Sequence, residues 1–503
     1  MDTPGRRFGS AVVIGGSMAG LLSARVLADH FDKVTLVERD VRGEGPAARK
    51  GVPQGPHIHV LLDTGRRILD TYFPDLFEQL QVQGAELIDS SGDLAWHHFG
   101  VWKLRRTSGI PGLLCTRPLL EWNVLRRVKA RPNVAVREGC SIEGLICDEK
   151  GTGRITGVRV KTPQGEESWE ADLVVDASGR GSRMPQWLEA IGYARPEEEQ
   201  VIVDLSYTTC LHEPPPHFQK DWKALFLYPS PPKAWRAGFI SHVEGGRWLV
   251  TLNGYFGEHA PTEYAGFLEY ARSLTRPDLY NYLKEATPIG PISQHKVKDC
   301  RWRHYEKLPR FPEGLVILGD AACAFNPLYG QGMSVAGLGA ELLDTCLREQ
   351  AERGELSGLA QRFRERLPEV IRLPWLLGTG MDLLYPQAVG KRPYGLGLLH
   401  WYILRLMERT STDAHVHRQF YRILHLHAGL EAVLQPSVAL PVLGHGVMSL
   451  LRPLERLANT ETRPPPLTPP RPSPVPVQKS TGGIQSPESR QGAARPPISG
   501  KRS

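Results

Sequence analysis

The first forty residues alternate between short apolar runs and an amphipathic segment. Residues 11–14 (AVVI) form an apolar run typical of a buried parallel strand. The glycine-rich residues 15–20 (GGSMAG) follow, and after them apolar residues recur at helical spacing, at Leu21, Leu22, Ala24, Val26 and Leu27. A second apolar run at 34–37 ends on Glu38. The pattern predicts a strand–helix–strand unit that opens on a glycine-rich turn.

This glycine-rich turn has the chemistry of a dinucleotide site. The free N–H groups and the dipole of a helix N-terminus favour a pyrophosphate, and glycine lets the backbone approach it. In the pattern G-x-G-x-x-G, Gly15 and Gly20 take the outer positions and Ser17 the middle one. Glu38 lies 18 positions beyond Gly20, near the spacing of a carboxylate that binds a ribose hydroxyl. The predicted cofactor contacts here are Gly15, Gly16, Ser17, Met18, Ala19, Gly20, Glu38 and Arg39.

The apolar pattern changes twice farther along the chain. A strand is predicted at 172–177, before the turn 178–182. Aromatic and β-branched residues then alternate with Pro and Gly, which predicts an antiparallel sheet with strands at 201–209, 224–228, 235–242 and 248–255. A buried strand at 315–320 ends on Asp320 and leads through a glycine-bearing loop into a helix at 334–353. Residues 355–460 are predicted to be largely helical.

Composition and charge narrow the function classes. Of a formal net charge of +7, most lies in residues 463–503, which hold seven Lys or Arg and one Glu, so a nucleic-acid partner is not expected. That proline-rich basic tail has the composition of a disordered segment. The seven cysteines include no C-x-x-C pair, which argues against a disulfide framework or a metal site and favours the cytoplasm. Neither a secretory signal nor a transmembrane stretch is predicted.

Two features have more than one interpretation. His57 and His59 are spaced as metal ligands on a strand can be, but no third ligand is near in sequence, so a loop position is favoured, where they could still face a ligand. Residues 394–409 are apolar with basic residues toward the end, which fits a core helix better than weak association with a membrane surface.

Three separated motifs together resemble those of single-component flavoprotein monooxygenases, the aromatic hydroxylases and squalene-type epoxidases. They are the N-terminal turn, DASGRGS at 176–182 and GDAACAFNPLYGQGM at 319–333. Within that group, RKGVPQGPHIH at 49–59 and FNPLYGQGMS at 325–334 are most similar to the flavin epoxidases of polyketide polyether biosynthesis.

The resemblance implies an α/β fold: a Rossmann-type FAD-binding domain like that of glutathione reductase, an inserted antiparallel β-sheet substrate lobe and a helical C-terminal region. The predicted boundaries are 8–190 and 291–352 for the FAD-binding domain, 191–290 for the substrate lobe, 353–462 for the helical region and 463–503 for the tail.

The resemblance also implies roles for particular residues. Arg49 and Arg117 match positions that reach the FAD phosphates or ribityl chain, and Asp320 would accept a ribityl hydroxyl. The isoalloxazine ring would lie against the loop after Asp320, at Pro327, Gly330, Gln331, Gly332 and Met333. No catalytic residue is assigned, because in this family the flavin is the reagent.

The function implied is a monooxygenase that uses a flavin C4a-hydroperoxide to insert one atom of O2 into a lipophilic natural-product intermediate of secondary metabolism. Alkene epoxidation is favoured and aromatic hydroxylation is the alternative. Electrons would come from NADPH or NADH, or from a separate flavin reductase as partner. Three rivals are a flavin halogenase, whose W-x-W-x-I-P stretch is missing, an isoprenoid double-bond reductase, and a flavoprotein scaffold that uses the tail as an interaction arm.

Overall fold

The computed structural model describes residues 7–148, 153–451 and 464–467. Within these residues the strands are β1 Phe8–Ile14, β2 Phe31–Glu38, β3 Glu86–Asp89, β4 Leu94–His98, β5 Val101–Trp102, β6 Pro111–Leu114, β7 Val134–Glu138, β8 Ser141–Cys147, β9 Ile155–Thr162, β10 Gly165–Glu170, β11 Leu173–Asp176, β12 Glu198–Glu213, β13 Ala224–Leu227, β14 Arg236–Val243, β15 Arg247–Gly254, β16 Thr287–Arg303, β17 Leu315–Ile317, β18 Cys323–Ala324 and β19 Val389–Gly390.

The helices are α1 Met18–His30, α2 Asp63–Tyr72, α3 Leu76–Val82, α4 Arg117–Lys129, α5 Met184–Ala190, α6 Tyr264–Arg272, α7 Asp278–Leu283, α8 Gly332–Arg353, α9 Leu359–Asp382, α10 Leu396–Arg409, α11 Ala414–Leu424, α12 Glu431–Leu434 and α13 Pro436–Leu451.

A five-stranded parallel sheet holds the N-terminal motif. Its order is β17–β11–β1–β2–β7, and every neighbouring pair is parallel. The apolar run 11–14 is buried because β1 lies between β2 and β11 in this sheet. Helix α1 packs against α8, so the helices that follow the two glycine-bearing loops lie side by side. The predicted Rossmann-type α/β fold is confirmed.

A nine-stranded sheet is the second large sheet of the protein, after the five-stranded parallel sheet. Its main path runs β18–β16–β12–β15–β14–β13–β4–β5, and β19 pairs with β12. The predicted antiparallel sheet is present, but one pair, β4 with β13, is parallel. Because β4 comes from far upstream in the chain, no hairpin fixes its direction against β13. A two-stranded sheet (β3–β6) and a three-stranded sheet (β10–β9–β8) complete the set within the described residues.

The helical C-terminal region runs from α9 to α13, as predicted. Part of it has an apolar core of its own, formed by Leu406, Val416, Ile423, Ala432, Val433, Val438 and Val442. Among the described residues, no helix has the length and apolar character needed to cross a membrane.

The predicted disordered tail lies outside the described residues except for 464–467. These four residues contact the body of the protein. Arg105 donates a 3.1 Å hydrogen bond from Nη1 to the Pro465 carbonyl oxygen, and the Leu467 N–H donates to Asp221 Oδ2 at 3.2 Å. The start of the tail is therefore attached to the segment before β6 and to the β12–β13 connection.

Candidate cofactor site

The glycine-rich turn is shaped by close backbone packing. Gly15 has φ +98°, and a Cβ there would lie 2.6 Å from the Ala177 carbonyl oxygen. A Cβ on Gly20 would overlap the Gly15 carbonyl. The chain turns sharply here, and α1 begins at Met18 with Ser17 as its N-cap residue. The strand–turn–helix geometry predicted for residues 15–20 is present, with the first N–H groups of α1 directed toward the turn.

Ser17 uses its hydroxyl where the dinucleotide-binding pattern has glycine. Arg117 Nη2 donates to Ser17 Oγ at 3.0 Å, and Ser17 Oγ donates to Glu121 Oε2 at 3.0 Å. Arg117 and Glu121 lie one turn apart on α4, which Thr116 caps by accepting from the Leu119 N–H. The serine therefore connects the turn to α4.

Arg49 connects the same turn to the end of β2. Its guanidinium lies 2.8 Å from Glu38 Oε2 and 2.7 Å from Glu121 Oε1. Burial lowers the pKa of Arg49, but the Glu121 and Glu38 carboxylates raise it by more, so it stays above its ordinary value. In the same way burial raises the pKa of Glu121, while Arg117 and Arg49 lower it below its ordinary value. Arg49 and Glu121 are therefore both charged at neutral pH.

Glu38 is held in place by backbone donors. Its Oε2 accepts the Gly16 N–H and its Oε1 accepts the Asp40 N–H, both at 3.0 Å. Arg42 donates to the Gly16 carbonyl. Next to this network is a cavity of about 380 Å³, and Arg39, Arg49 and Arg117 line it together with Trp122. The end of β2 and the N-terminus of α4 thus face one open space.

Asp320 marks a second part of the site. It follows β17 in a short 3₁₀ turn, Gly319–Ala321, and a Cβ on Gly332 would lie 3.9 Å from its Oδ1. Burial raises its pKa, and Arg180, Arg117 and Arg303 lower it by less. Within the part of the chain that the structure describes, no protein donor hydrogen-bonds this carboxylate. It is an acceptor available to a ligand hydroxyl.

The loop after Asp320 makes a tight turn into α8. Pro327–Tyr329 is a 3₁₀ turn, and Gly330 has φ +67°, the left-handed conformation that glycine adopts readily. Gln331 is the N-cap residue of α8; it is buried, and its side-chain Oε1 has no hydrogen-bond partner among the described residues. Met333 is buried in the first turn of α8. The predicted loop residues therefore lie at a helix N-terminus, the position that favours negative charge on a ligand.

Comparison with known proteins identifies the family. A family model for FAD dependent oxidoreductases matches residues 11–186. Protein Rv3254 of Mycobacterium tuberculosis is 32% identical over 464 residues, which cover 88% of this chain and 94% of that protein. The chain belongs to the FAD-dependent oxidoreductases. A 6-methylpretetramide 4-monooxygenase of Streptomyces rimosus is 27% identical over 72% of this chain and 80% of that protein. A kynurenine 3-monooxygenase of Salinispora arenicola is 26% identical over 73% of this chain and 78% of that protein.

Solved structures of low sequence identity share the fold. The p-nitrophenol 4-monooxygenase PnpA of Pseudomonas putida superposes with a TM-score of 0.59 at 17% identity, over 84% of this chain and all of that one. The flavin-dependent brominase Bmp2 superposes with a TM-score of 0.60 at 12% identity, over 88% of this chain and 98% of that one. The predicted FAD-dependent monooxygenase enzyme is confirmed by its relatives, whereas a particular closeness to epoxidases is not.

His57 and His59 lie at the border between this site and the nine-stranded sheet of the flavoprotein. His57 Nδ1 hydrogen-bonds Thr209 Oγ1 at 2.7 Å, and burial lowers the pKa of His57 to about 3. Burial and the nearby Arg117 lower the pKa of His59 to about 3 as well. Both imidazoles are neutral at pH 7. Within the described residues no cluster of three or more metal-ligating side chains occurs.

Sequence reasoning missed several residues at the site. The position of Glu121 could have been inferred from the sequence, because it lies four positions after Arg117 on a capped helix. Nothing in the sequence indicates that Asp382 lies near the site, because it is at the end of α9, more than fifty residues after the loop that it contacts. Its carboxylate accepts hydrogen bonds from Asn326 Nδ2 at 2.9 Å and from the Tyr329 hydroxyl at 2.9 Å. Burial raises the pKa of Asp382 to about 6.

Proposed function

We propose that FAD lies across the two glycine-bearing loops of the parallel-sheet domain. Its pyrophosphate would lie at the turn 15–20, near Arg49 and Arg117, and Glu38 would accept an adenosine ribose hydroxyl. Asp320, which is half-buried and has no protein donor within the described residues, fits a ribityl hydroxyl. The isoalloxazine ring would lie against residues 327–333. The glycine turn and the two arginines suit the negatively charged pyrophosphate of FAD, and the Asp320 carboxylate suits a hydroxyl donor.

The reaction proposed is the insertion of one oxygen atom from O2 into a lipophilic small molecule. The observation that carries it is a row of side chains across the inner face of the nine-stranded sheet. Register places Thr251 beside Phe239, Phe239 beside Phe226, and Phe226 beside Trp96. None of the four is more than 8% exposed. An apolar substrate held against this row would be kept away from water.

Tyr228 connects this aromatic face to the loop that we assign to the flavin ring. Its hydroxyl donates to the Leu328 carbonyl oxygen at 2.8 Å, and its ring lies 5.1 Å from that of Phe239 and 5.3 Å from that of Trp96. Bound FAD supplies the redox chemistry with O2. The protein orients the substrate, excludes water and holds the loop.

The face suits a neutral substrate. His98, whose ring lies 4.9 Å from Tyr228, has a pKa well below its ordinary value because of burial, and His57 is neutral at pH 7 for the same reason. A substrate carboxylate would therefore lack a charged partner among these groups. Polyketide-like or terpenoid intermediates of secondary metabolism, which are uncharged and lipophilic, fit this description better than amino acids do.

Within monooxygenation we favour alkene epoxidation, on the strength of the motifs at 49–59 and 325–334, and aromatic hydroxylation is the alternative. A brominase among the structural neighbours keeps halogenation as a third outcome to test. The chain has one glycine-rich strand–helix turn of the dinucleotide type, so we propose that NADPH or NADH binds transiently, or that a separate flavin reductase delivers the electrons.

We also propose a cytoplasmic location. All seven cysteines lie in the described residues and all are free thiols, which suits a reducing compartment. Leu398 on α10 is 73% exposed and Leu440 on α13 is 67% exposed, so weak contact with a membrane surface is compatible with this location.

The experiment that tests the proposed function is product analysis on three substrate classes. The FAD-loaded enzyme is supplied with NADPH, NADH or chemically reduced flavin, in air, with a lipophilic polyene, a polycyclic phenol, or the phenol plus bromide. We expect an epoxide, recognised by a mass increase of one oxygen and by its acid-catalysed diol. A hydroxylated phenol alone would select the alternative, and a brominated product would overturn monooxygenation. The matched control is the same mixture without oxygen.

A further inference from the structure

Asp382 is a buried carboxylate that accepts hydrogen bonds from several donors. It is the last residue of α9 and has no exposed surface. Within the described residues no Lys, Arg or His forms an ion pair with it. A carboxylate in such a place is costly unless hydrogen bonds satisfy it, so its donors are expected to be held firmly.

The donors come from three separate parts of the chain. Asn326 Nδ2 reaches both carboxylate oxygens, at 2.9 Å and 3.1 Å, and the Tyr329 hydroxyl donates to Oδ1 at 2.9 Å. The Tyr255 hydroxyl, just after β15, is 3.2 Å from Oδ1, and Cys300 Sγ in β16 is 3.6 Å from Oδ2. One carboxylate therefore joins the helical C-terminal region, the nine-stranded sheet and the loop at 326–329.

Asn326 passes this constraint on to the loop backbone. While its Nδ2 donates to Asp382, its Oδ1 accepts the Leu328 N–H at 2.9 Å and caps the 3₁₀ turn Pro327–Tyr329. Tyr228 holds the other side of the same residue through the Leu328 carbonyl. The turn is thus fixed by Asp382 at its two ends and by Tyr228 in the middle, directly before Gly330 and the N-terminus of α8.

We propose that Asp382 is a positioning residue that sets the place of the 326–330 loop against the flavin ring, so that α9 completes the flavin site. This inference rests on the proposed placement of FAD. Asp382 acts through Asn326 and Tyr329 and does not itself contact the cofactor. A carboxylate suits the task because it accepts from every donor around it, whereas an amide would turn an N–H toward one of them.

The test is Asp382→Asn in the full-length protein, because it keeps the shape and removes one acceptor. We expect the Kd for FAD to rise at least tenfold, and the visible absorption bands of the bound flavin to shift because the loop beside the ring has moved. The matched control is Asp344→Asn on α8. Asp344 is also a buried carboxylate that accepts from a tyrosine hydroxyl, that of Tyr72 at 2.9 Å, but it does not contact the loop.

The control is expected to lower the melting temperature without shifting the flavin bands. A Kd within twofold of wild type together with an unchanged spectrum in Asp382→Asn would overturn the proposal. If Asp382→Asn does not fold, Tyr329→Phe and Tyr255→Phe each delete one hydroxyl donor and keep the aromatic ring. Tyr329→Phe should then shift the bands and Tyr255→Phe should do so less, and no shift in either variant contradicts the inference. These readouts need bound FAD but no turnover, so they are independent of the substrate proposal.

Discussion

Ser17 stands where the dinucleotide-binding pattern has glycine, and the structure shows what its side chain does. The hydroxyl connects Arg117 and Glu121 to the turn, so the turn and α4 form one hydrogen-bonded unit. A glycine would leave the backbone path unchanged but would remove this connection. The departure from the pattern is therefore compatible with a nucleotide site, and it recruits two charged residues to it.

At Glu38 and Asp320 we predict loss of cofactor binding. Glu38→Ala and Asp320→Ala each remove a charged acceptor for a FAD hydroxyl, and such a hydrogen bond contributes about 1.5–3 kcal/mol. The Kd for FAD, measured by titration of the FAD-free protein, should rise about tenfold or more in each variant. Glu143→Ala, on β8 away from the site, is the control and should bind as wild type. Unchanged affinity in both site variants would show that the cofactor lies elsewhere.

At Glu121 we predict loss of stability that FAD partly restores. Glu121→Gln removes the carboxylate that the half-buried Arg49 shares with the buried Arg117. Breaking a buried pair costs about 3–5 kcal/mol, and we expect the lower end of that range because Arg49 keeps its ion pair with Glu38. Urea unfolding of the FAD-free variant should show this loss. Saturating FAD should narrow the gap, because its pyrophosphate offers the arginines a new anion. If the difference in stability between the variant and wild type is the same with and without FAD, arginine contacts with the phosphates are contradicted.

Among the elements, those with long periodic patterns were predictable from the sequence. The helix expected at 334–353 is α8, Gly332–Arg353, and the strand expected at 201–209 is part of β12, Glu198–Glu213. The parallel pairing of β4 with β13 was not predictable, because two short strands more than a hundred residues apart carry no mark of their partner. The surroundings of Asp382 were not predictable either, because its hydrogen-bond partners are distant in sequence and come together only when the chain folds.

The four described tail residues predict different effects for two truncations of the tail. Cutting the chain after Thr468 keeps the contacts of Pro465 and Leu467 and should leave the melting temperature and FAD content unchanged. Cutting after Thr462 removes two hydrogen bonds, one of them to the buried Arg105, and should lower the melting temperature by about 1–4 °C. Scanning calorimetry of the two shortened proteins decides this. Identical curves would mean that residues 464–467 contribute nothing.

For the whole molecule, the buried histidines predict instability in mild acid. Burial lowers the pKa to about 3 or 4 at His57, His59, His97, His212, His417 and His425. Unfolded histidine takes up a proton near pH 6.5, so between pH 6.5 and 4 the unfolded chain binds more protons, and the free energy of unfolding falls as pH falls.

Two kinds of group modify this trend, a histidine with a raised pKa and buried carboxylates with raised pKa values. Burial lowers the pKa of His304, but hydrogen bonds to Glu199 and Glu306 raise it by more, to about 9. The stability that His304 contributes is therefore complete below pH 6.5 and is lost only as the pH rises through 9. Asp382, whose pKa is about 6, gains stability on protonation and opposes the histidines below pH 6, and Asp176 and Asp320, whose pKa burial also raises, act in the same direction. The six histidines outnumber these three carboxylates, so urea unfolding should show lower stability at pH 5.5 than at pH 7.5. Equal or greater stability at pH 5.5 would mean that these histidines are not buried as described.

The central claim is that one atom of O2 enters the product. It is tested most directly by running the reaction of the FAD-loaded enzyme under oxygen-18 gas with an accepted substrate, and by measuring the product mass. The account predicts a product that carries a single oxygen-18 atom and no product when oxygen is withheld. Unlabelled product, or turnover without oxygen, would contradict it and would make the protein a reductase or dehydrogenase.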